Sequence, residues 1–256
     1  MAIWVTTQVK GGCGKSTIAN NVLPVLIGGN LEDIKIVEID NHNNTAELYS
    51  SSVLKNNMKT IKVNSADDEL DSIFFEALAN KKDIIVDVGG GDDSERLIEM
   101  LKNQPSGNIK YIIPFQMGDD DGGVFDTLQK IGDIEKCLVV LNGYTDKDKI
   151  KEQFLYFFGD EDVVGLKDRI KGIKYITIPF STIFPKAKLN FKMTILDLAE
   201  TSKAFSTPDE ASDYFLEESK GDSLAYRKLY RVYKNSLLAR ELIKDIGKEV
   251  NNQQGC

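Results

Sequence analysis

The sequence has little histidine and little cysteine, and each scarcity removes a class of chemistry. Of 256 residues only His42 is a histidine, and the three cysteines, Cys13, Cys137 and Cys256, stand far apart with no Cys-x-x-Cys pair. A metal cage built on histidines is therefore excluded, and the absence of paired cysteines argues against a zinc site or an iron–sulfur cluster. The same spacing gives no disulfide framework and fits a reducing, cytoplasmic setting. No run of about 18 apolar residues occurs, so no transmembrane helix is expected. No basic segment precedes the apolar run that begins at Ile3, so no secretory signal is expected. Positive charge is also short: 32 Lys and Arg against 40 Asp and Glu leave a net charge of −8. Such a chain does not hold nucleic acid through its overall field, and any such contact needs a local basic patch.

What is present is a repeating alternation. Short apolar, β-branched runs recur at Ile3–Val9, Ile34–Ile39, Thr60–Val63, Ile84–Val88, Tyr111–Ile113, Leu138–Leu141 and Ile173–Ile178. Consecutive apolar residues mark strands buried on both faces. Helical patterns lie between them, at Lys15–Ile27, Asp67–Asn80, Ser94–Lys102, Gly123–Ile131 and Asp148–Phe157. The alternation predicts an α/β fold: a doubly wound, mostly parallel sheet of about seven strands flanked by helices, with ligands at the carboxyl ends of the strands. Beyond Ile178 the pattern is mainly helical, over Ile195–Lys203, Pro208–Glu217 and Ser223–Val250, and the polar tail Asn251–Cys256 is expected to fray. Residues 1–256 read as a single phosphate-loop domain. Pro24 falls inside the first helix and is expected to kink or shorten it.

The residues at the strand ends carry the chemistry. Directly after the first run comes Lys10-Gly11-Gly12-Cys13-Gly14-Lys15-Ser16-Thr17. A Gly-rich turn between a strand and a helix aims successive backbone N–H groups at phosphate oxygens, and the helix N-terminus adds its positive end. Lys15 would reach the terminal phosphates and Ser16 would offer a hydroxyl to Mg²⁺. The fourth strand ends Val86-Asp87-Val88-Gly89-Gly90-Gly91, the pattern of a Walker B aspartate, which makes Asp87 the metal partner of Ser16. The three glycines permit a loop that can change conformation. The strand Leu138–Leu141 ends in Asn142-Gly143-Tyr144-Thr145, without the Asn-Lys-x-Asp box of GTPases, so ATP is favoured over GTP. In the last helix Arg227, Arg231 and Lys234 share one face, and no acid lies between Arg227 and Arg240. The aromatic and aliphatic residues Tyr226, Leu229, Tyr230, Tyr233 and Leu237 fall on another. The basic face suits non-specific contact with DNA phosphates, or else is the solvated side of a packed amphipathic helix.

The string from Lys10 to Thr17 resembles the deviant Walker A box of the ParA/MinD family of ATPases. The resemblance implies that Lys10 crosses to the nucleotide of a second subunit, so that ATP is sandwiched in a homodimer. The segment Glu38-Ile39-Asp40-Asn41-His42-Asn43-Asn44 is similar to the family's first switch, with Asp40 matching the carboxylate that positions the attacking water and Asn44 matching its asparagine. Glu38, Asn41 and His42 depart from that pattern, and Gly89–Gly91 replace a proline-containing segment. These departures support nucleotide binding and dimerisation more than fast hydrolysis. Asn142 and the Pro179-Phe180 pair are similar to segments that frame the adenine. The family reading gives catalytic roles to Lys10, Lys15 and Asp40, nucleotide contacts to Gly11, Gly12, Cys13, Gly14, Lys15, Ser16, Thr17, Asn142, Pro179 and Phe180, and Mg²⁺ to Ser16 and Asp87. It implies weak Mg²⁺-dependent ATP hydrolysis in plasmid or DNA partition or cargo positioning, with a cargo or centromere-binding partner protein. Alternatives are an accessory ATPase of conjugative transfer or plasmid stability, or a nucleotide-switched binding module with negligible turnover. The polar end Asn251–Cys256 does not suit a MinD-like membrane anchor.

Overall fold

A computed structural model describes residues 2–28, 31–40, 45–62, 66–102 and 108–254. Seven strands form one sheet: β1 (Ile3–Thr6), β2 (Ile34–Ile39), β3 (Met58–Ile61), β4 (Asp83–Val88), β5 (Ile109–Gln116), β6 (Cys137–Tyr144) and β7 (Lys174–Pro179). Their order is β3-β2-β4-β1-β5-β6-β7, and every pairing is parallel. The first helices are α1 (Lys15–Thr17), α2 (Leu23–Ile27), α3 (Thr45–Leu48), α4 (Ala66–Asn80), α5 (Asp92–Lys102) and α6 (Gly122–Ile131). After β6 come α7 (Ile150–Gln153), α8 (Leu155–Phe158) and α9 (Leu166–Arg169). After β7 come α10 (Ile183–Lys186), α11 (Ile195–Thr201), α12 (Pro208–Glu218) and α13 (Ser223–Gln254).

The double winding follows from strand alternation. Successive side chains point to opposite faces, and both faces are apolar here. Ile3, Val5, Ile84, Val86, Val88 and Ile113 join one core with Leu70, Leu97, Leu101 and Leu128 of α4, α5 and α6. Ile34, Ile36, Ile85, Ile112, Val140 and Ile178 join the other, with Ile18, Leu23, Leu198, Leu242 and Ile246. A parallel sheet covered on both faces is thus built from strands that are apolar on both sides.

Some boundaries differ from the sequence reading, for identifiable reasons. β3 begins two residues early because Met58 to Ile61 pair with Ile36 to Ile39 of β2. The first helix is interrupted as expected, but by a π turn over Ile18–Val22 rather than a simple kink. Leu23 N–H donates to Ile18 C=O, five residues back, and Pro24 then falls in the first turn of α2, where its missing N–H costs nothing. The segment expected as one helix from Asp148 to Phe157 breaks at Phe154, whose backbone (φ −120°, ψ 51°) leaves the helix. That break buries Phe154 and Phe157, whose rings sit 6.1 and 6.0 Å from Phe115. α10 has no counterpart in the sequence reading; Pro185 lies in its first turn, which tolerates proline. α13 runs to Gln254, past the point where fraying is expected, since Asn and Gln after Val250 lower helix propensity without breaking the helix.

Candidate functional site

The loop after β1 wraps a cavity of about 340 Å³ at the carboxyl end of the sheet. Gly12 (φ +76°) and Gly14 (φ +97°) hold left-handed backbone that turns the chain from strand to helix. Gly14 is confined as well: a Cβ there would lie 2.4 Å from Asn142 Nδ2. Lys15, the first residue of α1, is buried, and its ammonium donates to the carbonyls of Gln8 (3.1 Å) and Lys10 (2.8 Å). The cavity wall comprises Gly11, Gly12 and the run Gly14–Thr17, facing Glu38, Asp40 and the run Asp87–Gly90. Cys13 points inward, 1% exposed; its thiol donates to the Lys10 carbonyl (3.4 Å) and its sulfur accepts from the Lys15 ammonium (3.9 Å).

Strand register assembles the acidic side of the site. Thr6, Glu38 and Asp87 stand side by side on β1, β2 and β4, on the sheet face that the helix after the loop covers. Thr6 Oγ1 donates to Asp87 Oδ1 (3.2 Å), and Thr60 Oγ1 donates to Glu38 Oε2 (3.0 Å). Asp87 is 2% exposed, and its Oδ2 has no hydrogen-bond partner among the described residues. Burial, aided by the nearby Glu38 charge, pushes the Asp87 carboxyl up to about 6, against the opposing pull of the Ser16 and Thr6 hydroxyls and the Lys15 charge. A buried carboxylate oxygen beside a serine hydroxyl, at the wall of the cavity, is an oxygen donor set suited to a hard divalent cation. This donor set is one that Mg²⁺ would fit.

Of the three glycines after Val88, two are closely confined and the third holds left-handed backbone. A Cβ on Gly89 would lie 3.4 Å from the Ile39 carbonyl and 3.5 Å from Asp40 Oδ2. One on Gly90 would lie 3.4 Å from Gly11 Cα, and Gly91 carries φ +70°. Gly89 N–H donates to Ile39 C=O (2.9 Å) and Gly91 N–H to Val9 C=O (2.8 Å). Ser94 adds a clamp from α5, its hydroxyl reaching Gly89 C=O (2.8 Å) and Gln8 C=O (3.2 Å). The glycine run therefore bridges the phosphate loop and the end of β2. Asn41, His42 and Asn44 lie outside the described residues.

No family model and no curated protein matches the chain. Among solved structures it is similar to the MinD cell division protein of Aquifex aeolicus, at 17% identity and a TM-score of 0.49, over 82% of this chain and 93% of that one. It is also similar to apo McdA of Cyanothece, at 16% identity and a TM-score of 0.49, over 93% of this chain and 99% of that one.

Not every sequence-predicted residue lines the cavity. Lys10 stands outside it, 45% exposed, with its ammonium 2.7 Å from Asp119 Oδ1. Asn142 touches the loop, its amide 3.5 Å from the Cys13 carbonyl and packed on Gly14. Pro179 ends the neighbouring strand, and Phe180 is 65% exposed, with its N–H donating to Tyr144 C=O (2.8 Å). Arg227, Arg231 and Lys234 lie on the exposed side of α13. Behind them Tyr226 and Tyr230 stack 5.7 Å apart and Lys234 lies 4.9 Å over the Tyr230 ring, while Tyr233 packs inward with Ala211 and Phe215.

Four residues of this neighbourhood have no role in the sequence reading. Thr6 and Glu38 share strand parity with Asp87, and that alternation is the signal that could have found them. Asn20 comes from the π turn: its Nδ2 donates to Ser16 C=O (2.8 Å) and its buried Oδ1 has no described partner. No pattern in the sequence places it there. Asp119 follows the end of β5, one strand away from the loop.

Proposed function

We propose that this chain is a Mg²⁺- and ATP-dependent dimerising ATPase of the ParA type, which positions or partitions DNA or another cargo. The observation that carries the reading is the division of labour between two lysines that lie 5 residues apart. Lys15 is buried in the loop at the cavity wall, whereas Lys10 stands outside its own cavity and exposed to solvent. A lysine that does not face its own chain's phosphate site, yet opens the phosphate-binding string, suits a charge supplied to a second subunit's triphosphate.

The remaining roles complete the reading. The N–H groups of Gly11 through Thr17 and the Lys15 ammonium hold the phosphates, with Asn142, Pro179 and Phe180 at the adenine end. Ser16 and Asp87 would hold Mg²⁺, which would supply charge neutralisation to the triphosphate. Asp40, on the wall opposite the loop, orients the attacking water. Its proximity to Gly89 gives the glycine run a way to sense the γ-phosphate. Turnover is weak, the nucleotide acts chiefly as a dimerisation signal, and the α13 cations make non-specific contact with DNA while a partner protein marks the cargo.

The test is Lys10→Ala, followed by sizing with light scattering in a non-hydrolysable ATP analogue and Mg²⁺. The variant binds nucleotide within about twofold of wild type and stays monomeric. A variant that dimerises as wild type does removes the two-subunit reading. Steady-state phosphate release, with and without DNA, separates an enzyme from a binding switch without turnover.

A further inference from the structure

We propose that Asp119 is a latch, holding Lys10 against its own subunit and so setting how readily nucleotide drives dimerisation. The latch rests on the two-subunit reading, in which Lys10 acts across an interface. Lys10 Nζ donates to Asp119 Oδ1 at 2.7 Å. In this reading the ammonium must swing away from that bond to reach a triphosphate on another chain. Intrachain pairing and crossing are therefore competing states, and whatever stabilises the first opposes the second.

The acid side of the latch is fixed. Asp119 N–H donates to Gln116 C=O (3.0 Å), and Met117 N–H donates to Asn142 C=O (3.0 Å), which ties the segment to two strand ends. Gly122 N–H donates to Asp120 Oδ1 (3.2 Å). Asp121, at the start of α6, is ion-paired with Arg169, whose guanidinium lies 5.1 Å over the Phe125 ring. The carboxylate itself is sheltered: the Asp119 side chain is 19% exposed and its Oδ2 is buried with no described hydrogen-bond partner. The lysine side is the mobile one, on a flexible four-carbon stem that is 45% exposed. That stem is laid on the first turn of α6, where a Cβ on Gly123 would meet Lys10 Cβ at 3.6 Å. Asp119, with a smaller push from Asp120, raises the Lys10 pKa, so the ammonium stays charged in either state.

A dimer that uses both lysines opens two latches. Exposed pairs of this kind shift an equilibrium by a factor of about three each, and two such factors multiply to about tenfold. The experiment is the dimer dissociation constant of the full chain, by sedimentation in a saturating non-hydrolysable ATP analogue with Mg²⁺, for wild type, Asp119→Asn and Asp119→Ser. The latch predicts about tenfold tighter dimerisation in either variant, with nucleotide affinity of the monomer within about twofold and the gain erased by adding Lys10→Ala. Dimerisation unchanged in both variants overturns the latch and leaves the two-subunit reading standing. Weaker dimerisation also overturns it, since Asp119 would then serve the assembled interface. If neither wild type nor variants dimerise with nucleotide, the two-subunit reading fails and the latch with it.

Discussion

The phosphate-loop end of the sheet and the outer face of α13 both present charge, but they hold it differently. At the sheet end, backbone register places Thr6, Glu38 and Asp87 in one row, and each buried group is set against a neighbour by strand pairing. On α13 the cations ride on long side chains on the solvent side of one helix, where Lys234 lies over the Tyr230 ring. The first arrangement can discriminate a ligand atom by atom. The second offers a field, suited to a partner that is itself a line of charge. Substitutions should therefore act sharply and locally in the first region and weakly, with strong salt dependence, in the second.

The most severe test of that contrast is Gly14→Ala. The substitution forces a side chain into left-handed backbone and places its Cβ 2.4 Å from the Asn142 side-chain amide, so that side chain must also swing away from the loop. Strain of about 1–3 kcal/mol is expected from the backbone alone, and nucleotide affinity should fall by at least about tenfold, measured by titration with a fluorescent ATP analogue. Gly132→Ala is the control. It carries a similar φ of +75° at the end of α6, where a Cβ would meet only the Gln129 carbonyl at 3.9 Å. It should cost comparable stability and leave nucleotide binding intact. Equal loss of binding in both variants would mean that the loop responds to global stability and not to its own geometry.

Asp87 supplies the next effect. Its folded-state pKa of about 6 lies above the ordinary value of 3.8, chiefly because it is buried. Between those values the folded chain holds more protons than the unfolded one, so this group's contribution declines as pH rises through the window and is constant above it. Asp87→Asn removes the decline. In the absence of metal and nucleotide the variant should gain on the order of 2–3 kcal/mol over wild type at about pH 7, and nothing at about pH 3.5. Urea denaturation at the two pH values checks the sign. The same variant should lose the Mg²⁺ enhancement of nucleotide binding, so that stability and function move in opposite directions at one residue. A variant less stable than wild type at neutral pH would show that the hydroxyls of Ser16 and Thr6 and the Lys15 charge, acting on the ionised carboxylate, outweigh the burial of charge.

The sheet and the loop are legible in the sequence because one residue type per position decides them. Apolar β-branched runs have few alternatives to buried strands, and the Gly12 and Gly14 positions need glycine. Asp40 and Asp87 are legible as strand-terminal acids, and both face the cavity. Glu38 stands out in the sequence only as a departure from a motif, although its alternation with Ile36 and its pairing opposite Asp87 give it a place in the row. Asn20 is not legible at all. It reaches Ser16 through a π turn, and whether a helix absorbs a proline by kinking, ending or inserting a residue depends on packing across the whole first turn. Asp119 is hidden for a similar reason: its importance lies in a pair with Lys10 that spans 109 positions of sequence. The last quarter of the chain is visible as helices, but their packing on the second core is not, because an amphipathic stripe does not name its partner.

The gentlest test takes the α13 face alone. Arg227→Glu with Arg231→Glu alters two exposed residues, and surface changes away from packed features cost within about 0.5 kcal/mol. Melting temperature and nucleotide affinity should therefore stay near wild type, which is what separates this face from the sheet end. Retention on non-specific duplex DNA at low salt should fall, and the salt dependence of binding should flatten by about two units of slope, one for each phosphate no longer neutralised. Full retention with an unchanged slope would reduce the face to a solvated helix side, since a phosphate-reading surface cannot give up two cations and keep its counterion release. Weakened DNA binding together with weakened nucleotide affinity would be the more instructive failure. It would mean that charge on α13 is felt at the loop through α11 and the second core, and that the two regions are coupled.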